Sequence, residues 1–236
     1  MSERTMIDDD MTMDARAAEI RDAQLHTRRV RVDRMFTWLF LAQYAAGIIA
    51  AVTISPYAWE GKVHTVDLHV WIAAAGGAGI IILPILLAVF RPGTVLTRHV
   101  IAASQMLFSA LLIHLTGGRI ETHFHVFGSL AFLAFYLDWT VLITGTVVVA
   151  ADHFLRGLFW PESVYGVANA EWWRFLEHAG WVAFEDLFLI WSCVLAQREI
   201  ASSAARQAQV EHLSEMEQLK SAALEMAMAE MQSASA

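Results

Sequence analysis

The sequence predicts an all-α integral membrane protein, a six-transmembrane helix bundle with a C-terminal cytoplasmic helical extension. Three observations predict it. Of the 236 residues 57% are hydrophobic and mean hydropathy is +0.46, where soluble domains hold about 45–50% apolar residues. The apolar residues gather in blocks of roughly 18–22, long enough to cross a hydrocarbon core about 30 Å thick. The last stretch, "QREIASSAARQAQVEHLSEMEQLKSAALEMAMAEMQ", has no proline or glycine and is rich in helix formers.

Taken in order, residues 1–34 form a cytoplasmic N-terminal tail, acidic in "MIDDD" and basic in "RDAQLHTRRVRVDR". It is charged and has no apolar core, so it does not read as a cleavable signal. Apolar segments follow at 35–54, 69–90, 99–116, 123–138, 140–159 and 181–198, and 35–199 is read as a six-helix sensor domain. Residues 200–236 are read as a cytoplasmic signalling helix, with Met216, Leu219, Ala223 and Met226 at coiled-coil spacing. Pro84 and "AAAGGAG" (73–79) in the second segment predict a kink or a close helix contact. Trp160, Trp172, Trp173 and Trp181 mark an aromatic belt around the 5–6 connection, which fits an interfacial helix.

Arginines set the orientation. Arg28, Arg29, Arg31, Arg34, Arg91, Arg98, Arg198 and Arg206 fall on one side, against Lys62, Arg119, Arg156 and Arg174 over longer stretches. Both termini are therefore expected in the cytoplasm, in a multi-pass protein of a bacterial inner membrane. The net charge of −8 lies mostly in the flanks, and the chain carries no long basic run for nucleic acid. One cysteine, Cys193, excludes an intramolecular disulfide and a thiolate cluster.

The ten histidines carry the functional signal. His26, His99 and His212 lie in the cytoplasmic flanks or at a cytoplasmic helix start. The other seven, His64, His69, His114, His123, His125, His153 and His178, fall near the outer boundary of several segments. Asp67, Glu121, Asp152, Glu177, Glu185 and Asp186 accompany them. Ionisable groups cost roughly 2.5–3.5 kcal/mol at mid-membrane and less near the rim, so several at one depth are expected to face one another. Imidazole with carboxylate suits zinc, copper(II) or iron, and scarce Met and Cys near the cluster argues against copper(I).

Best metal-ligand candidates are His114, His123, His125 and His153, followed by His64, His69, His178, Glu185 and Asp186. The alternatives are haem b, for which no haem spacing is present, or no cofactor at all. Positions i and i+2 of a helix diverge by about 200°, so only one of His123 and His125 can bind a given ion. Thr122 is the expected N-cap, and Gly117 and Gly118 the turn returning His114 to that pair. Asp152 is expected to pair with Arg156 one turn on. Gln43, Tyr44, Ser104 and Gln105 are the few mid-membrane polar groups, expected in helix–helix hydrogen bonds and too sparse for a transport path.

The stretch "LLIHLTGGRIETHFHVFGSLAFLAFYLDW" (111–139) resembles the membrane-embedded input region that precedes histidine kinase, PAS, diguanylate cyclase or chemoreceptor output domains in bacterial sensory proteins. The resemblance covers roughly 35–200, and "EMEQLKSAALEMA" resembles the linker helix leading to a PAS domain. It implies sensory input, without naming the ligand. No catalytic output domain stands in these 236 residues, so the expected function is non-enzymatic. The expectation is a signal-input module with a transition-metal site, sensing redox, gas or metal state. Its partners would be the lipid bilayer, a second copy bound through the C-terminal helix, and a cytoplasmic output domain or protein. The alternative is a membrane metalloenzyme, di-iron or quinol-linked, for which repeated HxxHH-type spacing is lacking.

Overall fold

The computed structural model describes residues 3–54, 57–60, 63–167, 171 and 173–234, with side chains for 12–54, 67–167, 171 and 173–234. Helix dominates. A first helix, α1, runs over Glu3–Ile54. A short antiparallel hairpin follows, β1 (Tyr57–Glu60) on β2 (Val63–Val66). Then come α2 (Leu68–Trp71), a π-helical turn (Ile72–Gly76), α3 (Gly77–Phe90) and α4 (Val95–Leu115). The remainder is α5 (Ile120–Leu133), α6 (Trp139–Phe159), α7 (Glu162–Tyr165) and α8 (Arg174–Ala234).

Five stretches are long and apolar enough to cross a membrane: Thr12–Ile54, Leu68–Phe90, Val95–Leu115, Trp139–Phe159 and Arg174–Ala234. The segment expected at 123–138 is not among them. Its α5 has 14 residues, about 21 Å of helix at ~1.5 Å per residue, and passes into a 3₁₀ turn at Ala134–Tyr136. Leu137 then takes a left-handed conformation (φ 52°), and the Asp138 side chain caps α6 by accepting from the Thr140 N–H at 3.2 Å. The stop falls where the sequence separates its 123–138 and 140–159 segments, and turn and cap chemistry at Leu137 and Asp138 make it.

The tail expected at 1–34 is helical from Glu3 and continues without a break into α1. The physical reason is composition: "MDARAAEIRDAQL" (13–25) is dense in Ala, Arg, Glu and Leu, strong helix formers. Two compact units are present, Met1–Leu25 with Ala196–Ala236, and His26–Leu195. In the first, Ile20 packs on the buried Ala204 and Ala208, flanked by an Arg16–Glu211 ion pair at 2.9 Å.

In the second unit α4 is the most enclosed of the long helices and packs on α3, α5 and α6. Phe36, Phe40, Met106, Phe108, Leu130 and Leu142 form its core. Large apolar side chains such as Trp38, Leu83, Leu86, Leu187 and Trp191 are turned outward, as lipid-facing surfaces require. The expected irregularity at "AAAGGAG" is the π turn, where the Tyr44 hydroxyl donates to Ala74 O at 2.9 Å. A Cβ on Gly77 would lie 2.9 Å from the Tyr44 ring, so the close contact needs glycine there. At one end of this unit the buried Asp33 accepts from the Tyr136 hydroxyl and from the Gly93 N–H, both at 2.6 Å. Arg98 pairs with Asp138 at 2.7 Å beside it. These groups tie α1, the α3–α4 turn and the α5–α6 turn together.

Candidate functional site

Three helices bring three imidazoles into mutual contact. His123 (α5), His153 (α6) and His178 (α8) form a triangle with ring centres 5.5, 5.1 and 5.8 Å apart. His123 and His153 are buried and His178 is half-buried. Each ring uses Nδ1 in the same way, against the carbonyl four residues back on its own helix. His123 faces Arg119 O at 2.9 Å, His153 faces Val149 O at 3.1 Å and His178 faces Arg174 O at 3.1 Å. A carbonyl only accepts, so Nδ1 carries a proton, and in the neutral form of each ring the lone pair is on Nε2. The Nε2 of His123 is buried and has no partner among the described residues.

The triangle borders a cavity of about 60 Å³, walled by Val126, Val149, Ala150 and Val182 among others. A wider cleft of about 660 Å³ reaches His123 and His178 past Arg174 and Glu177. Between α6 and α8, about two turns along α8 from His178, the Thr146 hydroxyl donates to the buried Asp186. Among the described residues, no group of three or more His, Cys, Asp or Glu side chains is placed so that it could hold a metal ion.

Other candidates lie elsewhere. His125 is held at both nitrogens, with the Gln43 amide at 3.0 Å on Nε2 and the Ser109 hydroxyl at 2.8 Å on Nδ1. Ser109 donates to Gln105 O, so it accepts from His125, and no ring lone pair is left over. Gln105 in turn donates to Ser129 at 2.8 Å. Gln43, Tyr44 and Gln105 are thus engaged in helix–helix hydrogen bonds. The Gly117–Gly118 turn does not return His114 to His123. Instead His114 stacks on His69 at 5.2 Å, meets Trp160 at 4.9 Å and bonds Ser163 at 3.0 Å. His69 binds Asp67 at 2.6 Å, and its backbone N–H and ring together hold that carboxyl below the usual carboxylate range. Glu185 and Asp186 sit below the triangle and do not line the cavity. The side chain of His64 and all of Trp172 lie outside the described residues.

Asp152 forks onto Arg156 at 2.6 and 2.7 Å, the pairing its spacing suggests. Arg156 also reaches Ser163 at 2.7 Å, fixing α7 against α6. Burial pushes the Tyr165 phenol up from its ordinary value, and its ring lies 5.5 Å from His178. The N-cap of α5 is Arg119 and not Thr122, whose hydroxyl donates to Arg119 O at 2.7 Å. Sequence reasoning undervalued His178 because it precedes the apolar run, and nothing in spacing shows that α8 starts at Arg174.

Fold and site together define a helical protein fitted to a membrane, with a buried imidazole cluster at one end of its helices. No protein-family model and no solved structure matches the chain. Over 69 residues it is 38% identical to the transducer protein Htr8 of Halobacterium salinarum. That stretch is 29% of this chain and 11% of the transducer's length.

Proposed function

We propose that the chain is a non-enzymatic signal-input module of a membrane transducer. In this reading a transition-metal ion (copper, zinc or iron), bound among the histidines near the periplasmic face, reports redox, small-gas or metal state. The signal passes along α8 to an output domain or protein. The bundle spans a bacterial inner membrane six times, with α5 and its 3₁₀ turn as the short fourth span and both termini cytoplasmic. Two copies pair along Met216, Leu219, Ala223 and Met226, whose Met216, Leu219 and Met226 side chains are exposed on one chain.

One observation carries the reading: three imidazoles meet where three helices converge, and one of those helices is α8, which continues to Ala234. The partial likeness to a transducer supports the signalling role. Elemental analysis with a visible absorption spectrum of the purified protein is the test. Stoichiometric metal without a haem band is expected; a preparation with neither, under metal-replete expression, overturns the reading.

A further inference from the structure

We propose that His123, His153 and His178 form a mononuclear site for a divalent transition-metal ion, bound through three Nε2 atoms with a fourth position open to the cavity. The inference deepens the sensor reading and rests on its metal class. It replaces the sequence-based ligand set, since His114 and His125 take no part.

Geometry is the first support. A histidine nitrogen binds such an ion at about 2.0–2.1 Å, which puts the ring centre ~3.2 Å from the metal. Three such rings stand ~5.2 Å apart at tetrahedral angles and ~5.5 Å apart in a trigonal plane. The observed ring centres are 5.1, 5.5 and 5.8 Å apart. The ring centres therefore stand at ligand spacing, while the nitrogens as placed do not form a ligand set, so binding requires a local adjustment of the rings.

Tautomer is the second. Metal-binding histidines almost always donate the other N–H to a carbonyl or carboxylate, which fixes the ring. All three rings do this through Nδ1 to a carbonyl of their own helix, and His153 has the Asp152 carboxylate 3.3 Å away as well. The same pattern on α5, α6 and α8 presents three Nε2 atoms of one chemical kind. His125 shows the contrast, with both nitrogens committed to protein groups.

Burial is the third. The Nε2 of His123 is enclosed without a partner, an arrangement that costs free energy unless something accepts its lone pair. Neutral imidazoles with no thiolate or carboxylate at the cavity select zinc(II), copper(II) or a similar borderline ion over calcium or magnesium. The remaining wall is largely apolar, so the fourth position suits water or a small uncharged ligand. The cleft beside Arg174 and Glu177 supplies an entry path.

The full chain, purified in detergent and stripped with a chelator, is titrated with zinc(II) and, separately, with cobalt(II) as a spectroscopic probe. One equivalent is expected, with a four-coordinate cobalt(II) spectrum. H123A, H153A and H178A are each expected to weaken zinc(II) binding by more than about 100-fold, whereas H69A, H114A and H125A stay within about threefold. Circular dichroism guards against misfolding, and H178Q gives a second, gentler variant of the most exposed ligand. Binding that survives H178A and H178Q but is lost in H69A or H114A overturns this site while leaving a metal sensor standing. Absence of any binding overturns both. A triad that binds while α8 shows no response keeps the site and overturns the sensor reading.

Discussion

His125 and Tyr136 show what a buried polar residue contributes when it is not the functional one. His125 accepts from Gln43 and donates to Ser109, bridging α1, α4 and α5. Replacing it with Phe strands both partners in an apolar setting, where each unpaired group costs roughly 1–3 kcal/mol. His125→Phe is therefore expected to lower thermal stability in detergent clearly while zinc(II) affinity stays within about threefold. A large loss of affinity with unchanged stability would reverse the roles of His123 and His125. Tyr136 is fully buried, stacks on Phe36 at 5.8 Å and donates to the Asp33 carboxylate. Tyr136→Phe keeps the stack and removes the bond, so a loss of about 1.5–3 kcal/mol is expected, as for hydrogen bonds to charged groups. Chemical denaturation measures it; a loss below ~0.5 kcal/mol would show that Gly93 alone satisfies Asp33.

Among the elements, the α4–α5 turn separates two glycines that look alike in sequence. Gly117 (φ 67°) and Gly118 (φ 73°) are both left-handed. A Cβ on Gly117 meets nothing within 4 Å, whereas one on Gly118 falls 2.4 Å from the Gly166 backbone nitrogen. Gly117→Ala should cost only the conformational strain, about 1–2 kcal/mol. Gly118→Ala adds a backbone clash that must push α7 away, so its thermal midpoint should drop distinctly further. Equal midpoints would mean that α7 yields freely. Much of this fold was legible: the apolar blocks locate α1, α3, α4, α6 and α8, and "AAAGGAG" marks the π turn. The 123–138 segment was placed as well, and what was not legible is that its α5 is only 14 residues long, with Leu137 and Asp138 closing it through a left-handed residue and a cap. The site was half legible. Counting histidines finds the layer, but the partition into a His123–His153–His178 triangle, a His69–His114 pair and a committed His125 depends on helix rotation. Sequence spacing fixes rotation within one helix and not between helices.

For the whole molecule the question is how an ion among three imidazoles could reach the far end of α8. Two of the proposed ligands sit on α6 and α8, and the Thr146–Asp186 bond links those helices again deeper in the bundle. An ion bound at the proposed site would join His153 to His178 at a point on α8 distinct from the Thr146–Asp186 contact, and so could bias how α8 sits against α6. Such a change requires the ion to bind one conformation better than the other, since equal affinity shifts nothing. A tenfold preference moves the equilibrium by about 1.4 kcal/mol, enough to change the populated state where the two lie close. The only native cysteine, Cys193, is buried, so a spin label on Leu219→Cys, an exposed position in the pairing stripe, reports selectively. In lipid-reconstituted protein the label-to-label distance distribution is expected to be finite, from two paired copies, and to shift when zinc(II) is added. His178→Ala should abolish the shift and leave the pairing. Absence of any dipolar coupling would overturn pairing along this stripe. An unchanged distribution at saturating metal would overturn the relay, leaving the imidazole cluster as a binding site without a mechanical consequence.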